Sequence, residues 1–192
     1  MAGERKQQIL ETLAKMLENP KREKVTTASL AAKLEVSEAA LYRHFANKAQ
    51  MFEGLIAFIE ETIFGLINKI SAEEVDAIRQ VQRIITMLLV FAEKNPGMTR
   101  VLIGDALVNE DEKLQLRINQ LYDRIEVTFK QSLRIAEAQN ESPQTGVKNN
   151  AEAQANLMVC YVAGRWQQFV KSGFKRKPTE FMQQQVTALI NV

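Results

Sequence analysis

Apolar residues recur along nearly the whole chain at spacings of three and four, and no stretch alternates apolar with polar between Asn-Gly or Asp-Gly turns. That period predicts helices and no strands, an all-α protein. A first helix is expected over residues 4–18, with Ile9, Leu10, Leu13, Met16 and Leu17 on one face. Asn19-Pro20 closes it, because a residue before proline avoids the α region. A basic loop, Lys21-Arg22-Glu23-Lys24, follows.

Two short helical stretches come next, with a tight break between them. Thr26 or Thr27 caps a helix running to about residue 34, Glu35-Val36 makes the turn, and Ser37 caps a second helix to about residue 45. Leu30, Ala31 and Leu34 face inward from the first, Leu41 and Phe45 from the second. Small alanines at 31, 32, 39 and 40 let the two helices cross closely, as a helix-turn-helix requires. Glu35 stands where a positive φ is expected, so its side chain should cost on the order of 1 kcal/mol against glycine.

Beyond this point the helices lengthen. One over residues 48–70 carries Phe52, Leu55, Ile56, Ile59, Ile63, Ile67 and Ile70 as a single stripe. Another over 75–94 is apolar nearly all round from Ile84 to Ala92, which places it at the centre of a bundle. Asn95 as N-cap and Pro96 at the first helical position open a short helix to about 107. A helix over 110–138 spaces Leu114, Ile118, Leu121, Ile125 and Phe129 along one face. The polar segment 139–150, with Pro143 and Gly146, reads as a loop, and helices over 151–171 and 178–191 finish the chain.

Composition narrows the chemistry. Among 192 residues there is one cysteine, Cys160, and one histidine, His44, so neither an internal disulfide nor a Cys/His metal cluster is available. No GxSxG, GxGxxG or P-loop pattern is present, and any imidazole-dependent site would have to use His44. The chain therefore reads as a non-enzyme with no cofactor and no metal. No apolar run approaches a membrane span, and the first residues lack a signal-peptide core, so a cytoplasmic protein is expected. The net charge of +2 divides unevenly: residues 1–50 carry +3 and the remainder −1.

The string Ala39-Ala40-Leu41-Tyr42-Arg43-His44-Phe45, followed by Lys48 and Phe52, resembles the DNA-binding signature of TetR-family regulators. The resemblance implies a TetR-like fold, with an N-terminal helix-turn-helix domain of three helices and a C-terminal helical bundle forming a homodimer. The expected division is 1–46 for DNA reading and 47–192 for dimerisation and partner binding. It assigns DNA contact to Thr26, Thr27, Ser37, Glu38, Ala39, Ala40, Tyr42, Arg43, His44 and Lys48. Physical chemistry agrees in kind. A recognition helix meets base edges with its first residues, while hydroxyls, cations and helix N-termini hold phosphates. Two copies double a small basic excess and ask for a palindromic site.

Segments 45–52, 55–60, 93–100, 117–121 and 169–178 resemble the nucleoid occlusion branch of that family. That likeness implies a nucleoid-associated protein that binds chromosomal palindromes, with one or more dimers per site, and blocks assembly of the tubulin-like division protein FtsZ. Septum formation over the nucleoid is thereby inhibited. It also implies that Phe58, Lys94 and Asn95 meet the acidic FtsZ tail. Phe58 lies about 100° from the stripe centre at Ile59, as a partner anchor would; Lys94 suits the tail's charge, and Asn95 is above all an N-cap. A dimer interface is expected from Leu157, Tyr161, Trp166, Phe169, Phe181 and Leu189, with Cys160 a small buried hydrophobe among them. The alternative reading is a ligand-responsive TetR-type transcriptional repressor with an apolar cavity in the bundle.

Overall fold

The structure, a computed structural model, describes residues 2–19, 24–139 and 151–190. Among these residues all regular structure is helical: α1 (Ala2–Leu17), α2 (Thr27–Lys33), α3 (Glu38–Tyr42), α4 (Lys48–Glu73), α5 (Ala77–Lys94), α6 (Pro96–Leu102), α7 (Glu112–Gln139), α8 (Ala151–Lys171) and α9 (Met182–Ile190), with a 3₁₀ turn at Asp105–Leu107. No helix among them is long and apolar enough to cross a membrane. Most of the basic loop at 21–24 and nearly all of the expected loop at 139–150 lie outside the described residues.

Several helix ends differ from expectation, each for a local reason. α5 starts at Ala77 rather than Val75 because Asp76 Oδ1 accepts the Arg79 N–H at 3.0 Å, which makes Asp76 the cap. α7 starts at Glu112 after Asp111 takes the Lys113 N–H at 2.9 Å. α6 stops at Leu102 rather than near 107, where Gly104 at φ 75 turns the chain out of the helix. α3 ends at Tyr42, so Arg43 and His44 lie in the turn that follows it. α9 begins at Met182, after Phe181 at φ 59.

The chain divides into two compact units, Met1–Glu61 with Asn95–Ile118, and Thr62–Lys94 with Asn119–Val192. The first is larger than a reader of residues 1–46, for it takes in the start of α4, α6 and the start of α7. Within it, Ile9, Leu13, Ala14 and Leu17 of α1 are buried, as are Leu30, Ala31, Leu41, Phe45, Phe52, Leu55, Ile56 and Ile59. α6 lies directly on α1: a Cβ at Gly97 would sit 1.9 Å from the Ala14 carbonyl oxygen. Buried Arg100 fixes the same join, its Nη1 donating to the Leu17 carbonyl at 3.1 Å and its Nε to Asp105 Oδ2 at 2.9 Å. One residue thus satisfies a carbonyl at the α1 C-terminus and keeps its own charge paired.

The second unit is built around α5, as its apolar girth predicts. Val81, Ile84, Ile85, Leu88, Leu89 and Ala92 have no exposed surface. α8 and α9 both pack on α5, and fully buried Trp166 donates its indole N–H to the Leu88 carbonyl at 3.1 Å. Burial pushes the Tyr122 phenol, which packs against that indole, well above its usual pKa.

Candidate functional site

The helix-turn-helix is held by backbone geometry that its sequence supplies locally. Thr26 caps α2: its Oγ1 accepts the Ser29 N–H at 3.1 Å, and Ser29 Oγ accepts the Thr26 N–H at 3.0 Å, a reciprocal capping box. At the other end, Val36 N–H donates to Ala31 O at 3.0 Å and Glu35 N–H to Ala32 O at 3.1 Å, with Glu35 at φ 56. This is a Schellman ending in which glutamate takes the left-handed position usually given to glycine. Ser37 then caps α3, accepting the Ala40 N–H at 3.3 Å.

Three of the expected DNA contacts are joined by hydrogen bonds. Thr27 Oγ1 donates to Glu38 Oε2 at 2.6 Å, and Tyr42 Oη donates to Thr27 Oγ1 at 3.5 Å. Glu38, Ala39, Tyr42 and Arg43 are exposed along this face, Tyr42 to 45%, while Ala40 and His44 are half-buried. A short, small-residue helix flanked by a phenol, a guanidinium and two hydroxyls can enter a groove and hold phosphates on either side.

Lys48 already has a partner within the chain. It opens α4 as predicted, but its ammonium is turned inward, 2.5 Å from Glu110 Oε1 and 5.5 Å from the centroid of the Phe52 ring. Glu110 carries no local signal, standing far along the sequence and two residues before α7. The α4 start has a cap that the sequence does spell: Asn47 Oδ1 accepts the Gln50 N–H at 2.9 Å, and Gln50 Oε1 accepts the Ala46 N–H at 2.8 Å.

Phe58 is half-buried and lines a groove of about 370 Å³ with Leu10, Leu55 and Met98, rimmed by Glu11 and Glu61. Those carboxylates do not favour an acidic peptide, so any charge complement must come from elsewhere. Lys94 is exposed at the end of α5, in the other compact unit. Its neighbour Glu93 is held below the usual glutamate pKa, chiefly by the Thr179 hydroxyl at 2.5 Å and then by Lys177 at 3.3 Å. Asn95 occupies the N-cap position of α6 without a side-chain capping bond, which corrects the expectation that capping is its main use. The α6 opening relies instead on Pro96 and on the Asn95 carbonyl, which accepts from Thr99 N–H and Oγ1, both at 2.9 Å.

The expected dimer residues divide sharply. Trp166 and Phe169 are consumed by the protomer's own core, because their face of α8 looks inward, and they offer nothing to a second copy. Leu157 at 42% and Phe181 at 61% are exposed, Tyr161 and Leu189 half so. Tyr161 Oη donates to Gln185 Oε1 at 3.0 Å, tying α8 to α9. Cys160 is exposed in the single chain rather than buried, its thiol beside Asn156.

Comparison with known proteins identifies the family. A model of bacterial regulatory proteins of the tetR family matches residues 22–55, and a SlmA-like model of the tetracyclin repressor-like C-terminal domain matches residues 75–192. The nucleoid occlusion factor SlmA of Alteromonas mediterranea is 52% identical over 184 residues, covering 96% of this chain and 93% of that protein. SlmA of a Marinomonas species is 48% identical over 188 residues, covering 97% and 93%. Among solved structures, the TetR-family regulator PfmR of Thermus thermophilus superposes with a TM-score of 0.76 at 20% identity, covering 95% of this chain and 97% of its own. AibR, solved with isovaleryl coenzyme A and operator DNA, gives 0.74 at 14% identity, covering 97% and 98%. At such identities the structural likeness carries the fold alone.

Proposed function

The chain belongs to the TetR family, in its SlmA-like branch, and from that membership we propose that it is a nucleoid occlusion factor. As a homodimer it binds palindromic chromosomal sites through the helix-turn-helix. Bound there, it antagonises FtsZ ring assembly over the nucleoid and so inhibits septum formation. The observation that carries this reading is identity near one half through almost the whole chain, α5 to α9 included, and not in the DNA-binding segment alone. A cytoplasmic, nucleoid-associated location follows from it.

In this reading Tyr42, Arg43, the α2 start and Lys48 engage the phosphate backbone, and Ala39 and Ala40 let α3 approach base edges. Phe58 supplies apolar contact to the FtsZ tail and Lys94 its charge complement. Sedimentation of FtsZ polymer with and without a palindromic duplex tests the whole. The wild-type protein should reduce the pelleted polymer, and more so with DNA. Phe58→Ala and Lys94→Glu should abolish that effect while leaving DNA affinity unchanged. Polymer indifferent to the protein in both conditions would instead favour a ligand-responsive repressor.

A further inference from the structure

Lys48 is a cation assigned to DNA phosphate, yet its side chain is only 23% exposed and is turned onto a carboxylate that is itself only 12% exposed. The two line a cleft of about 200 Å³ together with Lys24 and Val25, the residues that lead directly into the Thr26 cap of α2. The pair therefore sits beside the entrance to the helix-turn-helix. Arg100, which lines the same cleft, already has Asp105 and the Leu17 carbonyl as partners. Lys48 is the cation seen on Glu110.

We propose that Glu110 is a positioning residue for DNA binding, a built-in competitor that holds Lys48 away from the phosphate backbone until DNA displaces it. This rests on the DNA-binding reading above. A phosphate that takes the Lys48 ammonium must leave behind a largely enclosed carboxylate without its cation, and an unpaired buried charge is costly. Because the pair is already neutral, Lys48 also adds less than a full charge to the field that phosphates meet. Glu110 thus weakens binding to duplexes of every sequence, through Lys48 alone.

Fluorescence anisotropy on a short random-sequence duplex tests this, using wild type, Glu110→Gln, Lys48→Gln and the double variant. Glu110→Gln should bind roughly fivefold more tightly at low salt, while the slope of log affinity against log salt stays at the wild-type value, because Lys48 meets the same phosphate in both complexes. In the Lys48→Gln background the Glu110→Gln change should gain nothing. Wild-type affinity in Glu110→Gln, or a gain that persists without Lys48, overturns the proposal. A wild-type protein that binds no duplex at all would defeat the DNA-binding reading itself. Should Glu110→Gln lose its helical dichroism, Glu110→Ala provides a second neutral side chain with the same expected change.

Discussion

Thr27 and Glu38 are joined across the turn of the helix-turn-helix, the threonine hydroxyl donating to Glu38 Oε2 at 2.6 Å while it accepts from Tyr42 Oη at 3.5 Å. The tyrosine bond is at the long limit for an O–H donor, so the phenol is easily exchanged to an incoming acceptor.

Tyr42→Phe should accordingly weaken DNA binding by about 1 kcal/mol, roughly fivefold, on every duplex alike. The salt slope should stay put, since no charge is lost. Anisotropy titrations on duplexes of different sequence check both points. A loss confined to one sequence would move Tyr42 from the backbone to a base edge.

Glu35→Gly should stabilise the protein. Glutamate at φ 56 carries the Cβ cost of the left-handed region, and even after glycine's greater freedom in the unfolded chain a gain of about 0.5–1 kcal/mol remains. The urea midpoint should rise with an unchanged m-value. A midpoint that is level or lower would mean the turn stores no strain.

Leu157 and Phe181 are exposed apolar side chains on α8 and just before α9. If they form the seam between two copies, Leu157→Glu and Phe181→Glu should each convert a sedimenting dimer to a monomer with its helix content intact. Dimers undiminished in both variants would place the seam elsewhere.

Glu93 should make stability depend on acid. Its folded pKa is depressed, first by the Thr179 hydroxyl and then by Lys177. Its contribution is therefore present above the unfolded glutamate pKa and is lost as pH falls through the lower, folded value. Thr179→Ala removes the largest cause, so denaturation midpoints measured from neutral pH into the acid range should fall less steeply than in wild type. Parallel curves would exclude this bond as the source.

Much of this was legible in the sequence because it is local. The stripe from Phe52 to Ile70 is buried at every position the helical period named, and α5 is buried along Ile84, Ile85, Leu88, Leu89 and Ala92, though Met87 and Val90 are only half-buried. Thr26, Ser37 and Glu35 adopt the caps and the positive φ that their places required. These follow from backbone geometry within one or two turns, which residue type and spacing determine directly.

What the sequence left open was decided by faces meeting across long separations. Period alone marks Trp166, Phe169 and Leu157 as apolar, but only packing against α5 makes the first two core and leaves Leu157 exposed. Cys160 is exposed for the same reason, since its side of α8 is not the one that α5 covers. Lys48 looks like a free cation at a helix start until the fold brings Glu110 to 2.5 Å from it. An ion pair has no period and no fixed spacing, so only the tertiary structure could supply it.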